Sequence, residues 1–299
     1  MHIPFTNVDV FTHTRYLGNA LAVIRPQSPS TLSQTQKLQI AKEFNLSEVV
    51  FLHLPESKDS NPKELVVDIF TSAAEIPFAG HPTIGTTFFV LNYLGLKSVE
   101  ALITKAGRIP ISLDADGKVA RAEIPHNVHV HEKKYAFKDF NTGEETQYPI
   151  VSIVNGMTFV LVSLPSLEHL ARVAEIKNLN PSTYNTEHLD EGWRNGLCTT
   201  MYYVHVGEDQ GRKRYRTRMF GTREDPGTGS ASCALACYLT RKEAGKGVKE
   251  VKFGFEQGVE MGKRNEIFVD VKTKEDGQEI EKVVLSGEAV KVMEGTLEV

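Results

Sequence analysis

EIPFAGHPTIG (residues 75–85) and EDPGTGSASCA (residues 224–234) are two copies of one sequence pattern. Each copy places a proline two positions after a glutamate and a glycine three positions after the proline. A polar residue follows the glycine, and an apolar run begins there. About half of the 299-residue chain separates the two copies, and a repeat on this scale predicts two related domains.

Both copies stand where a strand is expected to give way to a helix. The apolar segments 65–70 and 215–220 predict strands that lead into the first and second copy. A helix is expected over residues 81–94, with Gly95 as its C-terminal stop. The second helix, residues 230–244, is rich in small residues, which predicts a helix packed on all sides.

A glycine at a helix start makes each copy a candidate anion receptor. The first backbone N–H groups of a helix have no partner within it, and the helix dipole adds partial positive charge there. Gly80 with His81, and Gly229 with Ser230, are therefore candidate sites for a substrate carboxylate. The alternative is that glycine and proline only shape a strand-to-helix turn.

The rest of the chain predicts many strands and few helices, which is typical of an α+β protein. A helix begins near Thr31 or Ser33 and ends near residues 44–45. Near the C-terminus, a turn at Glu294-Gly295 is expected to separate two short strands. A domain boundary is expected within residues 125–139, where apolar periodicity fades.

Composition limits the class of protein. The chain is 40% apolar and 24% charged with a net charge of −4, as in soluble globular proteins, so neither nucleic acid nor a membrane is an expected partner. No apolar run is long enough to span a bilayer, and the first residues lack a signal-peptide pattern. Three cysteines form no disulfide framework, which favours the cytoplasm.

Two carboxylates outside the glycine positions are candidates for chemistry. Glu48 lies at a predicted helix-to-strand junction beside an apolar strand, where partial desolvation would suit it to proton transfer. Its alternative is a solvated loop acid. Asp225 lies within the second copy and could orient a substrate, or could act only as a helix-start acid.

Other groups are interpreted as structural. His126, His129 and His131 have no accompanying carboxylate or cysteine pattern, so a solvated linker is expected rather than a metal site. Cys233 and Cys237 lie one helical turn apart and are expected to pack in the core rather than to act as a redox pair.

Together these motifs resemble the PhzF family of phenazine-biosynthesis isomerase-like proteins, nearly from end to end. The matching segments are Val8–Phe11, Gly18-Asn19, Asn45–Glu48, Glu75–Thr83, Glu224–Ser230, Gln257–Gly262 and Gly287–Gly295. The resemblance implies a diaminopimelate-epimerase-like fold with two pseudo-symmetric domains. Each domain would be a curved, mostly antiparallel sheet wrapped around a central helix, with the active site between them.

The same resemblance implies domain limits and partners. The N-terminal domain would comprise residues 1–126 with residues 286–299 returning to it, and the C-terminal domain residues 127–285. A homodimer is expected, together with neither a metal nor an organic cofactor. The family's characterised reaction isomerises trans-2,3-dihydro-3-hydroxyanthranilate by moving a proton between ring carbons.

Residue roles follow from the family's motifs. The resemblance makes Glu48 the proton carrier and places His81, Asp225 and Ser230 around the substrate. The predicted function is a cofactor-independent isomerase that shifts a proton on a small carboxylated, cyclic or hydroxylated metabolite. The alternative is a non-catalytic module that binds a metabolite or a protein with the same inter-domain cleft.

A third hypothesis, a racemase with two catalytic thiols, is disfavoured. Related epimerases carry one cysteine on each domain's motif, and Ala79 and Pro226 align with those positions here. None of the three cysteines of the chain aligns with them.

Overall fold

The computed structural model describes residues 1–55, 61–138, 143–175, 186–243, 250–275, 277 and 279–299. The chain folds into two compact units. The first unit comprises Met1–Ile124 and Val284–Val299, and the second comprises Pro125–Val283. Among the described residues, no helix is long and apolar enough to cross a membrane.

Strands outnumber helices in the part of the chain that the structure describes. The helices are α1 (Gln34–Phe44), α2 (Gly80–Phe88), α3 (Leu167–Arg172) and α4 (Gly229–Glu243), with a π-helical turn at Phe89–Tyr93 and 3₁₀ turns at Pro29–Thr31 and Val173–Glu175. The strands are β1 (His2–Val10), β2 (Asn19–Ile24), β3 (Val49–His53), β4 (Glu64–Phe70), β5 (Glu75–Ile76), β6 (Ala101–Thr104), β7 (Gly107–Leu113), β8 (Val119–Glu123), β9 (His129–Val130), β10 (Tyr135–Lys138), β11 (Glu145–Tyr148), β12 (Ile150–Val154), β13 (Met157–Ser163), β14 (Leu197–Asp209), β15 (Arg212–Phe220), β16 (Glu224–Asp225), β17 (Glu250–Gln257), β18 (Asn265–Thr273) and β19 (Ile280–Glu298).

The strands of the first unit form a closed ring. Hydrogen bonds run in the order β19–β1–β2–β3–β4–β6–β7–β8 and return to β19. Closure is possible because β19 is long enough to pair with β8 through residues 284–288 and with β1 through residues 289–298. Helix α2 packs against β1, β2, β3, β7 and β8, and residues 80–87 are all buried.

In the second unit the order of pairing is β9–β12–β13–β14–β15–β17–β18. Helix α4 packs against β12, β13, β17 and β18, and residues 229–237 are buried, as its small side chains predict. From β12 to β18, antiparallel and parallel pairs alternate as they do from β1 to β7. An origin of this likeness in internal duplication stays a prediction.

The turn expected at Glu294-Gly295 is wrong, because β19 continues through both residues. Glu294 pairs with Thr6 and Gly295 with Phe5 on β1. A Cβ at position 295 would lie 2.8 Å from an atom of the Phe5 ring. The glycine at this position therefore makes room for an aromatic ring on the neighbouring strand, rather than for a change of chain direction.

Local signals place α1 as predicted, and Ser33 rather than Thr31 caps it. The Gln36 backbone N–H donates to Ser33 Oγ at 3.3 Å, and the Ser33 backbone N–H donates to Gln36 Oε1 at 3.0 Å, which completes a capping box. The helix ends at Asn45, whose φ of 49° is left-handed. Gly95 likewise takes a positive φ of 68° after the turn that follows α2.

A buried ion cluster joins α1 to the sheet. Lys37 Nζ of α1 lies 2.5 Å from Asp68 Oδ2 of β4, and His53 Nε2 of β3 lies 2.8 Å from the same oxygen. Burial by itself raises the pKa of Asp68, but the hydrogen bonds and charges of His53 and Lys37 outweigh it and lower that pKa to about 2. The ionised form of Asp68 thus contributes to the stability of the fold.

Asp68→Asn is expected to lower the free energy of unfolding by about 1–2 kcal/mol at pH 7, the value that corresponds to the pKa shift after a discount for partial exposure of the carboxylate. A folded-state pKa below the unfolded value contributes stability above about pH 4, which is lost as pH falls toward 2. The difference between wild type and Asp68→Asn should therefore shrink across that interval in urea titrations. Glu100→Gln, at an exposed ion pair with Lys63, is the control and should change nothing measurable. A difference that stays constant from pH 6 to pH 2 would contradict the assignment.

Candidate active site

Glu48 and His81 form a carboxylate–imidazole pair in the first unit. Glu48 precedes β3 directly, and His81 is the second residue of α2. His81 Nδ1 lies 2.9 Å from Glu48 Oε2, with the His81 side chain 3% exposed and that of Glu48 19% exposed. The structure thus brings together two of the predicted site residues, and Glu48 is not a fully solvated loop acid.

The pairing fixes the tautomer of the imidazole when Glu48 is ionised. A carboxylate is only an acceptor, so His81 Nδ1 must carry the hydrogen and donate it. His81 Nε2 is buried and has no hydrogen-bond partner among the described residues.

The first glycine motif has the local structure that its sequence predicts. Glu75-Ile76 forms the short strand β5 on β4, and α2 begins at Gly80 after extended Ala79. Lys105 Nζ lies 2.5 Å from Glu75 Oε2 and anchors the strand. His81 therefore directly follows the glycine that begins α2, within the first unit.

The second motif repeats this arrangement with different anchors. Glu224-Asp225 forms β16 on β15, and α4 begins at Gly229. Both oxygens of Glu224 accept hydrogen bonds from the Arg218 guanidinium, at 2.7 and 2.8 Å. Arg218 is buried and also donates to two carbonyl oxygens at the end of α3. The Asp225 backbone is thereby tied to the body of the second unit.

Asp225 belongs to a hydrogen-bond network that the sequence did not reveal. Thr228 Oγ1 donates to Asp225 Oδ2, and Gln257 of β17 bonds to both residues. Ser230, the second residue of α4, is 6% exposed and lies just after Thr228. Thr228 is part of the second motif. No local sequence pattern assigns Gln257 to this network, because β17 reaches Asp225 only through the pairing of β15 with β17.

The predicted site residues therefore fall into two groups. Glu48, Gly80 and His81 belong to the first unit. Asp225, Gly229 and Ser230 belong to the second. In the first unit Gly80 and His81 belong to the motif and Glu48 lies outside it, before β3, whereas all three residues of the second unit belong to one motif.

The histidines at 129 and 131 are not a solvated linker, contrary to expectation. His129 Nε2 lies 2.7 Å from Asp190 Oδ2, and the His129 ring stacks on Trp193 with centroids 4.6 Å apart. His131 is 3% exposed. Its burial lowers the pKa of the imidazole, and the charge of the neighbouring His129 lowers that pKa further. The sequence does not indicate the Asp190 carboxylate as a partner, because Asp190 lies 59 residues beyond His131.

This cluster offers metal-ligand atoms, but hydrogen bonds already occupy them. Atoms of His129, His131 and Asp190 lie within 4.8 Å of one another. The Asp190 amide donates to His131 Nδ1 at 3.1 Å, so His131 Nε2 carries the hydrogen and bonds to Ser152 Oγ at 2.9 Å. A metal would have to displace the amide from His131. The arrangement is that of a structural network.

The three cysteines are all buried and have no disulfide partner. Burial raises the pKa of Cys198 to about 11 and that of Cys237 to about 12, and it raises that of Cys233 as well. Thiolates are the reactive form. These side chains are therefore core groups, as the small-residue helix predicts for Cys233 and Cys237.

We expect the native protein to resist thiol reagents at pH 8. Elevated thiol pKa values and burial both suppress the thiolate, so a chromogenic disulfide reagent should release almost no colour within minutes. The same sample in guanidinium chloride should titrate all three thiols. Rapid reaction of even one thiol in the folded protein would show that a cysteine is available for chemistry.

The chain matches the model of a known protein family over most of its length. The model of the phenazine biosynthesis-like protein family, PhzC-PhzF, matches residues 8–295. The trans-2,3-dihydro-3-hydroxyanthranilate isomerase of Pseudomonas chlororaphis is 29% identical over 303 residues, covering 97% of each chain. Relatives that carry the isomerase name assign this chain to the same broad class of enzyme.

Solved structures show the same fold. A PhzF-family phenazine biosynthesis protein of Bacillus anthracis superposes with a TM-score of 0.72 at 21% identity and covers 100% of both chains. A hydroxyproline epimerase of Agrobacterium vitis gives 0.63 at 14% identity, covering 99% of this chain and 91% of the other. The fold is a sheet-dominated mixture of α and β shared with these proteins. The chain belongs to the phenazine biosynthesis-like protein family, which confirms the resemblance that its motifs indicate.

Proposed function

We propose that the protein is a cofactor-independent isomerase that shifts a proton on a small carboxylated, cyclic or hydroxylated metabolite. The observation that carries the proposal is the 2.9 Å contact between His81 Nδ1 and Glu48 Oε2, with the imidazole buried. A proton carrier must be held in place and partly shielded from water, and both conditions are met by a carboxylate in this setting.

Glu48 would remove a proton from one carbon and return it to a neighbouring carbon. The same group acts first as base and then as acid, so its two protonation states must be close in free energy. His81 supports this cycle because its Nδ1–H donates to the ionised carboxylate, while its ring keeps the carboxylate orientation. The helix start at Gly80 provides amides suited to a carboxylate on the substrate.

Asp225, Gly229 and Ser230 would bind the same substrate, as the family resemblance implies. The start of α4 supplies N–H groups at Gly229 and Ser230, and Asp225 supplies an acceptor for a substrate O–H or N–H. The name of the relative from Pseudomonas chlororaphis supports trans-2,3-dihydro-3-hydroxyanthranilate as the first compound to test.

We also propose that the two units arose by duplication and form pseudo-symmetric domains around α2 and α4. Two observations support this. Strand pairings follow the same alternation in both units, and each glutamate–proline–glycine motif forms a two-residue strand followed by a helix that begins at the glycine.

The test is turnover by chelator-treated, extensively dialysed protein, offered trans-2,3-dihydro-3-hydroxyanthranilate and a panel of cyclic carboxylates. We expect isomerised product that scales with protein concentration and persists in excess chelator. Loss of turnover on chelation, restored by metal, would overturn cofactor independence. Binding of a panel compound by calorimetry without any product would favour a binding module over an enzyme.

A further inference from the structure

Gln257 has a fully buried side chain, and its amide group bonds to the second motif through three hydrogen bonds among the described residues. Its Nε2 donates to the Asp225 carbonyl at 2.8 Å and to Thr228 Oγ1 at 2.9 Å. Its Oε1 accepts from the Thr228 amide at 3.1 Å. The exposed fraction of Gln257 is 0%, so water cannot replace these partners.

These contacts set the direction of the next hydrogen bond. The Thr228 backbone N–H can only donate, so the Gln257 side-chain atom that faces it must be the oxygen Oε1, and the other must be the nitrogen Nε2. Thr228 Oγ1 therefore receives a hydrogen from Gln257 and directs its own hydrogen elsewhere. That hydrogen points to Asp225 Oδ2, since Thr228 Oγ1 donates there.

The backbone around this network is closely packed, which keeps its geometry. Asn265 Nδ2 donates to the Pro226 carbonyl at 2.7 Å. Gly258 has a φ of 76°, and a Cβ there would lie 2.5 Å from the Pro226 oxygen. The Thr228 carbonyl accepts from Ser232 Oγ and thereby joins the network to α4.

We propose that Thr228 and Gln257 are positioning residues that orient the Asp225 carboxylate and present it to the substrate as a hydrogen-bond acceptor. This inference rests on the proposed function, because it gives Asp225 its role at the substrate. Gln257 fixes the direction of the Thr228 hydroxyl, and the hydroxyl holds one oxygen of Asp225. Neither side chain needs to touch the substrate.

Thr228→Val is the first test, because it keeps the shape of the side chain and removes the hydroxyl. We expect kcat/KM for the isomerised compound to fall about 100-fold, the loss typical of a displaced catalytic or binding group. Thr228→Ser keeps the hydroxyl and should stay within about threefold of wild type. Thr240→Val is the matched control, since it removes a buried hydroxyl hydrogen bond within α4, the helix that begins just after Thr228, and it should retain activity.

A double-mutant cycle separates positioning from a general loss of stability. If Thr228 acts through Asp225, then Thr228→Val should reduce activity less than about threefold further in the Asp225→Asn background. Effects that multiply fully in the double variant would overturn the proposal. Gln257→Glu adds a second arm, measured at a pH at which the new carboxyl is ionised: a carboxylate cannot donate to Thr228, so the hydroxyl would turn toward position 257 and activity should fall as in Thr228→Val.

Crystal structures of the variants make the result independent of turnover. We expect the Asp225 carboxylate to move in Thr228→Val and Gln257→Glu and to keep its place in Thr228→Ser and Thr240→Val. An unmoved carboxylate in the first two variants would overturn the positioning role even in an active enzyme. Absence of any wild-type turnover would instead count against the proposed function, and the crystallographic comparison would still decide the role of Thr228 and Gln257.

Discussion

Glu48→Gln is expected to reduce turnover by about 1,000-fold or more while the protein stays folded, because general acid–base groups contribute factors of this order. The amide has nearly the same shape as the carboxylate, and its oxygen can still accept from His81 Nδ1. It cannot take up a proton from carbon. Substrate affinity should therefore change little, while the rate of isomerisation collapses. Steady-state kinetics and calorimetric binding on the same preparation measure both quantities.

Glu43→Gln is the matched control for this substitution. Glu43 lies on α1, is exposed, and precedes Glu48 by a few residues. The same change of charge there should leave kcat and KM unchanged. Full activity of Glu48→Gln would remove Glu48 from the proposed mechanism and leave that mechanism without a proton carrier.

Gly85→Val is expected to have the largest effect on folding. Gly85 is buried in α2, and a Cβ there would lie 2.6 Å from Leu21 Cδ2 and 2.7 Å from Val10 Cγ2. Leu21 and Val10 are themselves 0% exposed, so neither has room to move. We expect a loss of about 3 kcal/mol or more, since overpacking of a filled core commonly costs about 1–3 kcal/mol per site and valine adds bulk beyond the Cβ.

Denaturant unfolding measures the stability of Gly85→Val, and Gly95→Asn is the control variant. Gly95 has a left-handed backbone with a φ of 68°, but, unlike at Gly85, a Cβ at this position would contact nothing within 4 Å. Asparagine tolerates the left-handed conformation, so this control should stay close to wild type. Gly85→Ala should fall between the two, because the better helix propensity of alanine offsets only about 1 kcal/mol of the clash. Unchanged stability of Gly85→Val would mean that α2 is not tightly enclosed by the strands.

Features encoded by neighbouring residues were accessible from the sequence. Ser33 with Gln36 specifies the start of α1, and Gly80 and Gly229 mark the starts of the two buried helices. Such signals depend on capping and on backbone freedom, which act within a few residues. The candidate positions Glu48 and His81 were found in the same way, from a junction and a motif.

Features that depend on distant pairing were not accessible. The turn expected at Gly295 is a continuous strand, because Phe5 lies opposite it at the other end of the chain. His131 is buried against Asp190, and Asp225 is held through Gln257, and neither partner is marked by a local pattern. Closure of the strand ring likewise depends on β19 reaching two strands, which composition and periodicity do not encode.

Proton transfer by Glu48 is tested most directly by isomerisation in D₂O, followed by proton NMR and mass spectrometry of the product. The compound is the member of the carboxylate panel that wild type converts fastest, with trans-2,3-dihydro-3-hydroxyanthranilate tried first. We expect isomerised product with solvent deuterium at the carbon that receives the proton, and neither product nor deuterium from Glu48→Gln with the same bound compound. Deuterated product formed by Glu48→Gln at the wild-type rate would contradict the role of Glu48 as proton carrier.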